Sequence, residues 1–255
     1  MGKIFKIAYL IFAGLFLIAW FQIRKLPAKE TINPALLQEP IQAETTDRDD
    51  FSFSYRNKEY EVAPLADYEL WGLVVSKNNI NAWYNYYHDK DSVNLKDVCV
   101  IWGDNIKDGA YKQEQIKFKS GEFACYVGWS GYLNKPFYPN KLSNNHLLTA
   151  NEAIQIAIRQ VNVGDQIHIK GVLSDYKEKG SNFTRQSSLS REDENSTARA
   201  GGACEIIYID QFNIIKHNQL NWNNIYSLRF KILGGLFIIN VIWFLFYNRR
   251  RVYTK

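Results

Sequence analysis

The chain has no His-x-x-x-His, no Cys-x-x-Cys, no Gly-x-Ser-x-Gly and no glycine-rich loop of the kind that cradles phosphate. Those absences leave zinc-hydrolase, thioredoxin-like, serine-hydrolase and nucleotide-binding functions without support, and neither a metal nor a cofactor is expected. Cysteine is scarce, with three in 255 residues, an odd number that cannot pair completely within one chain. The net charge of +5 comes partly from a basic tail and from residues beside two apolar runs, so its expected partner is anionic lipid rather than nucleic acid.

What the chain does have is a pair of hydrophobic runs at its ends, Ile7 to Ile23 and Ile232 to Tyr247. An α-helix needs roughly 17 to 25 apolar residues to cross a hydrocarbon core of about 30 Å, and both runs reach the short end of that range. Lys6, Lys231 and Arg249 flank them and extend their reach by snorkelling. After Trp20 the sequence Phe-Gln-Ile-Arg-Lys offers no pair of small residues for signal cleavage, so the first run is expected to remain as an anchor. The tail, residues 248–255, carries four basic groups and no acid, which places it in the cytoplasm by the positive-inside rule. Two spans return the chain to its starting side. The expectation is therefore a bacterial inner-membrane protein with residues 1–6 and 248–255 cytoplasmic and the middle periplasmic, although Arg24, Lys25 and Lys29 count against that orientation.

Residues 24–50 are rich in Pro, Glu, Thr and Asp and lack an apolar period, which predicts a linker. The domain then runs over 51–220, followed by a juxtamembrane segment, 221–231. Aromatics make up 15% of the chain, a level that favours pleated sheet surfaces. Phe51-Ser-Phe53-Ser-Tyr55 alternates strictly and pairs with Tyr60-Glu-Val62 in a predicted hairpin; Tyr68 to Ser76, Val98 to Trp102 and Ala124 to Trp129 read as further strands. Thr149-Ala-Asn-Glu152 has the form of a capping box, and Ala153, Ile154, Ala157, Ile158 and Val161 recur at helical spacing behind it. Gly164-Asp165 launches a strand in which Ile167 and Ile169 face a core and His168 and Lys170 face water, with Gly171 free to form a bulge. Cys204 to Ile209, running on to Phe212 and Ile214, is the last strand.

The segments Trp71-Gly-Leu-Val-Val-Ser and Gly164-Asp-Gln-Ile-His-Ile-Lys-Gly-Val-Leu173 resemble those of OB-type small β-barrels. The resemblance covers about a third of the domain. It implies a mainly β, OB-like barrel with one short helix, used for binding protein, peptide or polyanion rather than for chemistry.

Residues 177–203 hold a Ser-rich run, the acidic triplet Glu192-Asp193-Glu194 and Gly201-Gly202, and are expected to be a long mobile loop. Asn182-Phe-Thr184 and Asn195-Ser-Thr197 fit sequons that matter only in a eukaryotic secretory pathway. Thiols exported to an oxidising compartment tend to pair. Cys99 and Cys125 both lie in apolar strands and are the preferred disulfide, bridging adjacent strands, which leaves Cys204 as a thiol at the end of the loop. A thiol nucleophile needs a histidine and an orienting third group. His88, His146 and His168, with Asp89, Asp91 or Asp165, are the candidates; His146 leads, in a polar turn where Asn144 or Asn145 could orient its ring.

Within the second run Gly234, Gly235 and Asn240 read as a transmembrane interface, because small residues admit close helix approach and a buried amide in lipid seeks a partner. The expected function is an extracytoplasmic binding or assembly module anchored in a membrane complex, with another membrane or extracytoplasmic protein as partner. The rival is a thiol-dependent hydrolase or transpeptidase-like enzyme built on Cys204, His146 and Asn145.

Overall fold

The computed structural model describes residues 2–80, 92–121, 124–189 and 204–252. In chain order these form α1 (Gly2–Gln22), β1 (Ile41–Gln42), β2 (Phe51–Tyr55), β3 (Lys58–Asn78), β4 (Asp97–Ile101), α2 (Asp104–Lys107), β5 (Ile116–Ser120) and β6 (Cys125–Trp129). β7 (Leu142–Leu148), α3 (Glu152–Gln160), β8 (Gln166–Glu178), β9 (Cys204–Lys216), α4 (Leu220–Ser227) and α5 (Arg229–Val252) follow. The chain divides into two compact units, Met1–Lys25 with Gln219–Lys255, and Leu26–Asn218.

In the first unit α1 touches both α4 and α5, and the Phe5 and Trp243 rings lie 6.1 Å apart. That pairing sets the start of α1 beside the far end of α5, so the two helices run in opposite directions. Lys3–Gln22 and Leu220–Phe246 are each long and apolar enough to cross a membrane. At the end of α1 the Arg24 guanidinium stacks on the Trp20 ring at 3.5 Å. The expected juxtamembrane segment 221–231 is itself helical, in α4 and the start of α5.

The second unit is mainly β. β3 pairs with β4, β4 with β7, β7 with β9, β9 with β8, and β8 again with β3; only β7 and β9 run parallel. β1 and β2 are added to β3, while β5 and β6 form a separate two-stranded sheet. Alternation along the strands divides the apolar side chains into two clusters. Leu70, Val74, Val98, Val100, Leu147, Ile167, Ile169 and Ile207 pack with Ile158 of α3 in the larger. Leu73, Val75, Cys99 and Ile101, from the opposite faces of β3 and β4, pack with Leu36, Tyr111 and Ile116 in the smaller. β4 is thus covered on both faces, which is why Val-Cys-Val-Ile reads as a continuous apolar run.

Four expectations are corrected here. Residues 26–50 are packed on the domain rather than a loose linker: Leu36 is fully buried, Trp102 Nε1 donates to Glu39 at 2.7 Å, and β1 pairs with β3. Tyr60–Val62 and Tyr68–Ser76 belong to one strand, β3, carried past Pro64 by a bulge between Pro64 and Ala66. The helix cap is Asn151, whose side chain accepts from Ala153 N and Ile154 N, while the Thr149 hydroxyl donates to Ile209 O. The expected loop 177–203 begins inside β8 at Lys177 and Glu178, and its stretch 190–203 lies outside the described residues.

Candidate functional site

Strand register on β4, β7 and β9 assembles the candidate site. Asp97 of β4 stands opposite His146 of β7, and Asn144, two residues earlier on the same face of β7, stands opposite Cys204 of β9. Cys204 is therefore diagonal to His146, within reach of a long side chain. His146 Nδ1 donates to Asp97 Oδ1 at 2.6 Å, and the Cys204 side chain adds to the charge environment of the ring. Asn144 Nδ2 lies 3.3 Å from His146 Nε2 and donates to Cys204 Sγ at 3.7 Å. With Nδ1 committed to the carboxylate, Nε2 is the ring atom left for the thiol.

The carboxylate is itself held. Asn94 Nδ2 donates to Asp97 Oδ1 at 2.6 Å, and Asn94 Oδ1 accepts from Leu147 N at 3.2 Å, which ties the amide to β7. The Asp97 side chain is 1% exposed and that of His146 14%. Asp97 Oδ2 is buried and has no hydrogen-bond partner among the described residues. Burial alone would push the His146 imidazolium down; the Asp97 charge and hydrogen bond, joined by the interaction with Cys204, outweigh it and lift the group to about 10. The ring therefore carries a proton at neutral pH.

His146 was expected in a turn, and it lies instead near the end of β7, a strand whose polar residues Ser143, Asn144 and Asn145 are all buried. Asn144 or Asn145 was expected to orient the ring; Asn144 lies against it, and Asn145 does not. Asn145 points to the other face, donating to Ser143 Oγ at 2.9 Å and Val98 O at 3.3 Å. Asp97 and Asn94 hold the ring as well, and neither was singled out from the sequence. The available signal was parity: Asp97 is two residues before Cys99 and so shares its face of β4.

The remaining candidates lie elsewhere. His168 Nε2 bonds Glu69 Oε1 at 2.8 Å and its ring stacks on Trp71, 4.5 Å between centroids. Asp165 clamps a turn, accepting from Asn162 N and Asn218 N with His217 Nδ1 at 3.2 Å. His88, Asp89 and Asp91 are outside the described residues. Cys99 and Cys125 stand at disulfide distance, with Cα atoms 5.7 Å apart. They join β4 to β6, which belong to different sheets rather than being neighbours. In α5, Cβ atoms built on Gly234 and Gly235 would meet nothing outside their own helix within 4 Å, and Asn240 is half-buried.

Two lysines are buried beside the same sheet. Lys96 Nζ donates to Arg159 O and Val161 O at 2.7 and 3.0 Å, and Lys77 Nζ to Val161 O and Asn162 Oδ1 at 2.9 and 2.8 Å. Both therefore serve the last carbonyls of α3. Burial lowers Lys96 to about 6, helped by repulsion from Lys77, and burial lowers Lys77 to about 8.

Among the described residues no group of three or more His, Cys, Asp or Glu side chains is arranged to hold a metal ion. No protein-family model, no curated protein and no solved structure matches this chain.

Proposed function

We propose that the chain is a membrane-anchored, thiol-dependent acyl-transfer enzyme with Cys204 as nucleophile, His146 as acid and base, and Asp97 as the carboxylate that orients it. The observation carrying this reading is the convergence of three groups: His146 bonded to a buried Asp97 on one side, and Cys204 sharing the Asn144 amide with the ring on the other. A nucleophile, a base and an orienting group converge in that order, the logic of a catalytic triad.

The chemistry then follows from the atoms. The Cys204 thiolate attacks a carbonyl carbon, forming a C–S bond and an oxyanion toward which the Asn144 amide can donate. Collapse of the tetrahedral species breaks the bond to the leaving group, which takes the proton from His146 Nε2. An attacking water or amine gives its proton back to His146 as it displaces the thioester, and Cys204 leaves as thiolate. Asp97 holds the ring through Nδ1 throughout, in the orientation that both transfers require.

The ring of pairings from β3 through β4, β7, β9 and β8 back to β3 supports an OB-type five-stranded barrel as the scaffold. The basic tail supports a domain facing out of a bacterial inner membrane, with both termini cytoplasmic and lipid around the two helices. The second reading, a binding or assembly module in a membrane complex, is supported by the uncharged strand β6, Cys-Tyr-Val-Gly-Trp, at the edge of the smaller sheet.

The test is a pre-steady-state assay with a nitrophenyl ester. The full chain is expected to release a burst of nitrophenolate equal to its Cys204 content and to carry an acyl group on that residue by peptide mapping. Cys204→Ser is expected to lose both. Acylation elsewhere, or none with a Cys204 that alkylating agents reach, refutes the enzyme reading and leaves the binding module in front.

A further inference from the structure

We infer that the outer edge of β6 is a self-association surface, at which two copies of this chain join antiparallel about Val127. This deepens the assembly reading and is independent of the thiol chemistry.

The first ground is main-chain geometry. Gly121 N donates to Ala124 O at 2.8 Å at the tip of the β5–β6 hairpin. Hydrogen-bonded and non-hydrogen-bonded pairs alternate along an antiparallel ladder. Lys119 with Tyr126 and Lys117 with Gly128 are therefore bonded pairs, whereas Cys125, Val127 and Trp129 turn their N–H and C=O groups away from β5. Among the described residues nothing bonds these outward groups. They are open to the backbone of another extended strand.

The second ground is what protects an edge and is missing here. Edge strands are commonly blunted by lysine or proline. β6 has neither, and no charged residue occurs from 124 to 134, in a chain that is 22% charged. A neutral edge meets no repulsion from an identical copy and gives a charged peptide no hold. Tyr126 and Trp129 remain 57% and 47% exposed beside it.

The third ground is self-complementarity. Antiparallel pairing through the outward groups places Val127 opposite Val127 of the second copy, Tyr126 opposite Gly128, and Cys125 opposite Trp129. The first face then sets an exposed tyrosine over a glycine at which a built Cβ meets no atom within 4 Å, so a ring can settle there without a clash. On the other face the partly exposed Trp129 comes opposite the half-buried Cys125 of the second copy. Both sides of the strand are matched by the same two-fold operation, as an isologous interface demands.

The experiment uses the full chain in phospholipid vesicles, in a Cys204→Ser background so that the native thiol does not react. In the paired state the two Gly128 Cα atoms lie about 8 Å apart, from strand rise and spacing. Gly128→Cys treated with a bis-maleimide of matching span is expected to give a covalent dimer. Ile156→Cys, on the exposed side of α3, is expected to give none. Val127→Pro added to Gly128→Cys removes an outward N–H without touching a β5 bond, and the dimer is expected to be lost. Equal cross-linking at Gly128→Cys and Ile156→Cys overturns the inference, and that comparison holds whether or not the proline chain folds. Undiminished cross-linking in a folded Val127→Pro chain also overturns it.

Discussion

His146 and Lys96 make opposite demands on pH although each is adjacent to Asp97, one across the ladder and one along the chain. His146 has an unfolded value near 6.5 and a folded one of about 10, so between these the folded state holds a proton that the unfolded state lacks. Its stabilisation is complete below 6.5 and is lost as pH rises through 10. Lys96 falls from an ordinary 10.5 to about 6 on folding, so across 6 to 10.5 the unfolded state holds the extra proton. That contribution makes stability rise with pH, and Lys77, at about 8, acts in the same sense. Each full proton difference is worth about 1.4 kcal/mol per pH unit. The two residues therefore oppose each other, and the intact protein is expected to show a shallow dependence between pH 6.5 and 8. Lys96→Met should leave His146 unopposed, so that stability falls with rising pH over that range. Asp97→Asn should remove the support of His146, so that stability rises. Denaturant midpoints at stepped pH read both slopes; parallel curves for the two variants would show that neither group is perturbed as described.

At the scale of elements, Gly171 in β8 and Gly180 in the turn after it separate close approach from simple turn geometry. A Cβ on Gly171 would lie 2.1 Å from Tyr208 O, where the β8–β9 register shifts. Backbone cannot give way as a side-chain tip does, so Gly171→Ala is expected to cost about 2 to 3 kcal/mol. Gly180, at φ +85° with nothing within 4 Å, has only a left-handed backbone to lose, and Gly180→Ala should cost about 1 kcal/mol. Equal shifts in denaturation midpoint would remove the distinction. The bulge at Gly171 was legible in the sequence because a turn, two alternating isoleucines and a lone glycine agree in one stretch. β7 was not: Leu-Ser-Asn-Asn-His has the composition of a turn, and its buried amides are accommodated only by bonds such as Asn145 to Val98 O. Asp97 escaped notice for a related reason, since its partner His146 belongs to the strand that was missed.

For the whole molecule, the apolar termini and the cysteine pair were legible because each rests on one strong physical constraint, the length of an apolar run or the placing of two thiols in apolar strands. The packing of residues 26–50 was not, because it depends on the single buried Leu36 and scattered polar bonds rather than on a period. The disulfide spans 26 residues and should contribute about 3 kcal/mol by restricting the unfolded chain. Cys99→Ala with Cys125→Ala is expected to lower stability by that amount in denaturant unfolding, and a change under 1 kcal/mol would contradict a cross-link between the two sheets. The thiol site depends on the larger sheet, since Asp97, His146 and Cys204 are brought together by three of its neighbouring strands. The most direct test is the rate of Cys204 alkylation by iodoacetamide from pH 5 to 9, in the intact chain and in His146→Gln. A Cys204 served by the His146–Asp97 pair predicts alkylation faster in the intact chain than in His146→Gln across this range. Equal rates in the two proteins would contradict the account.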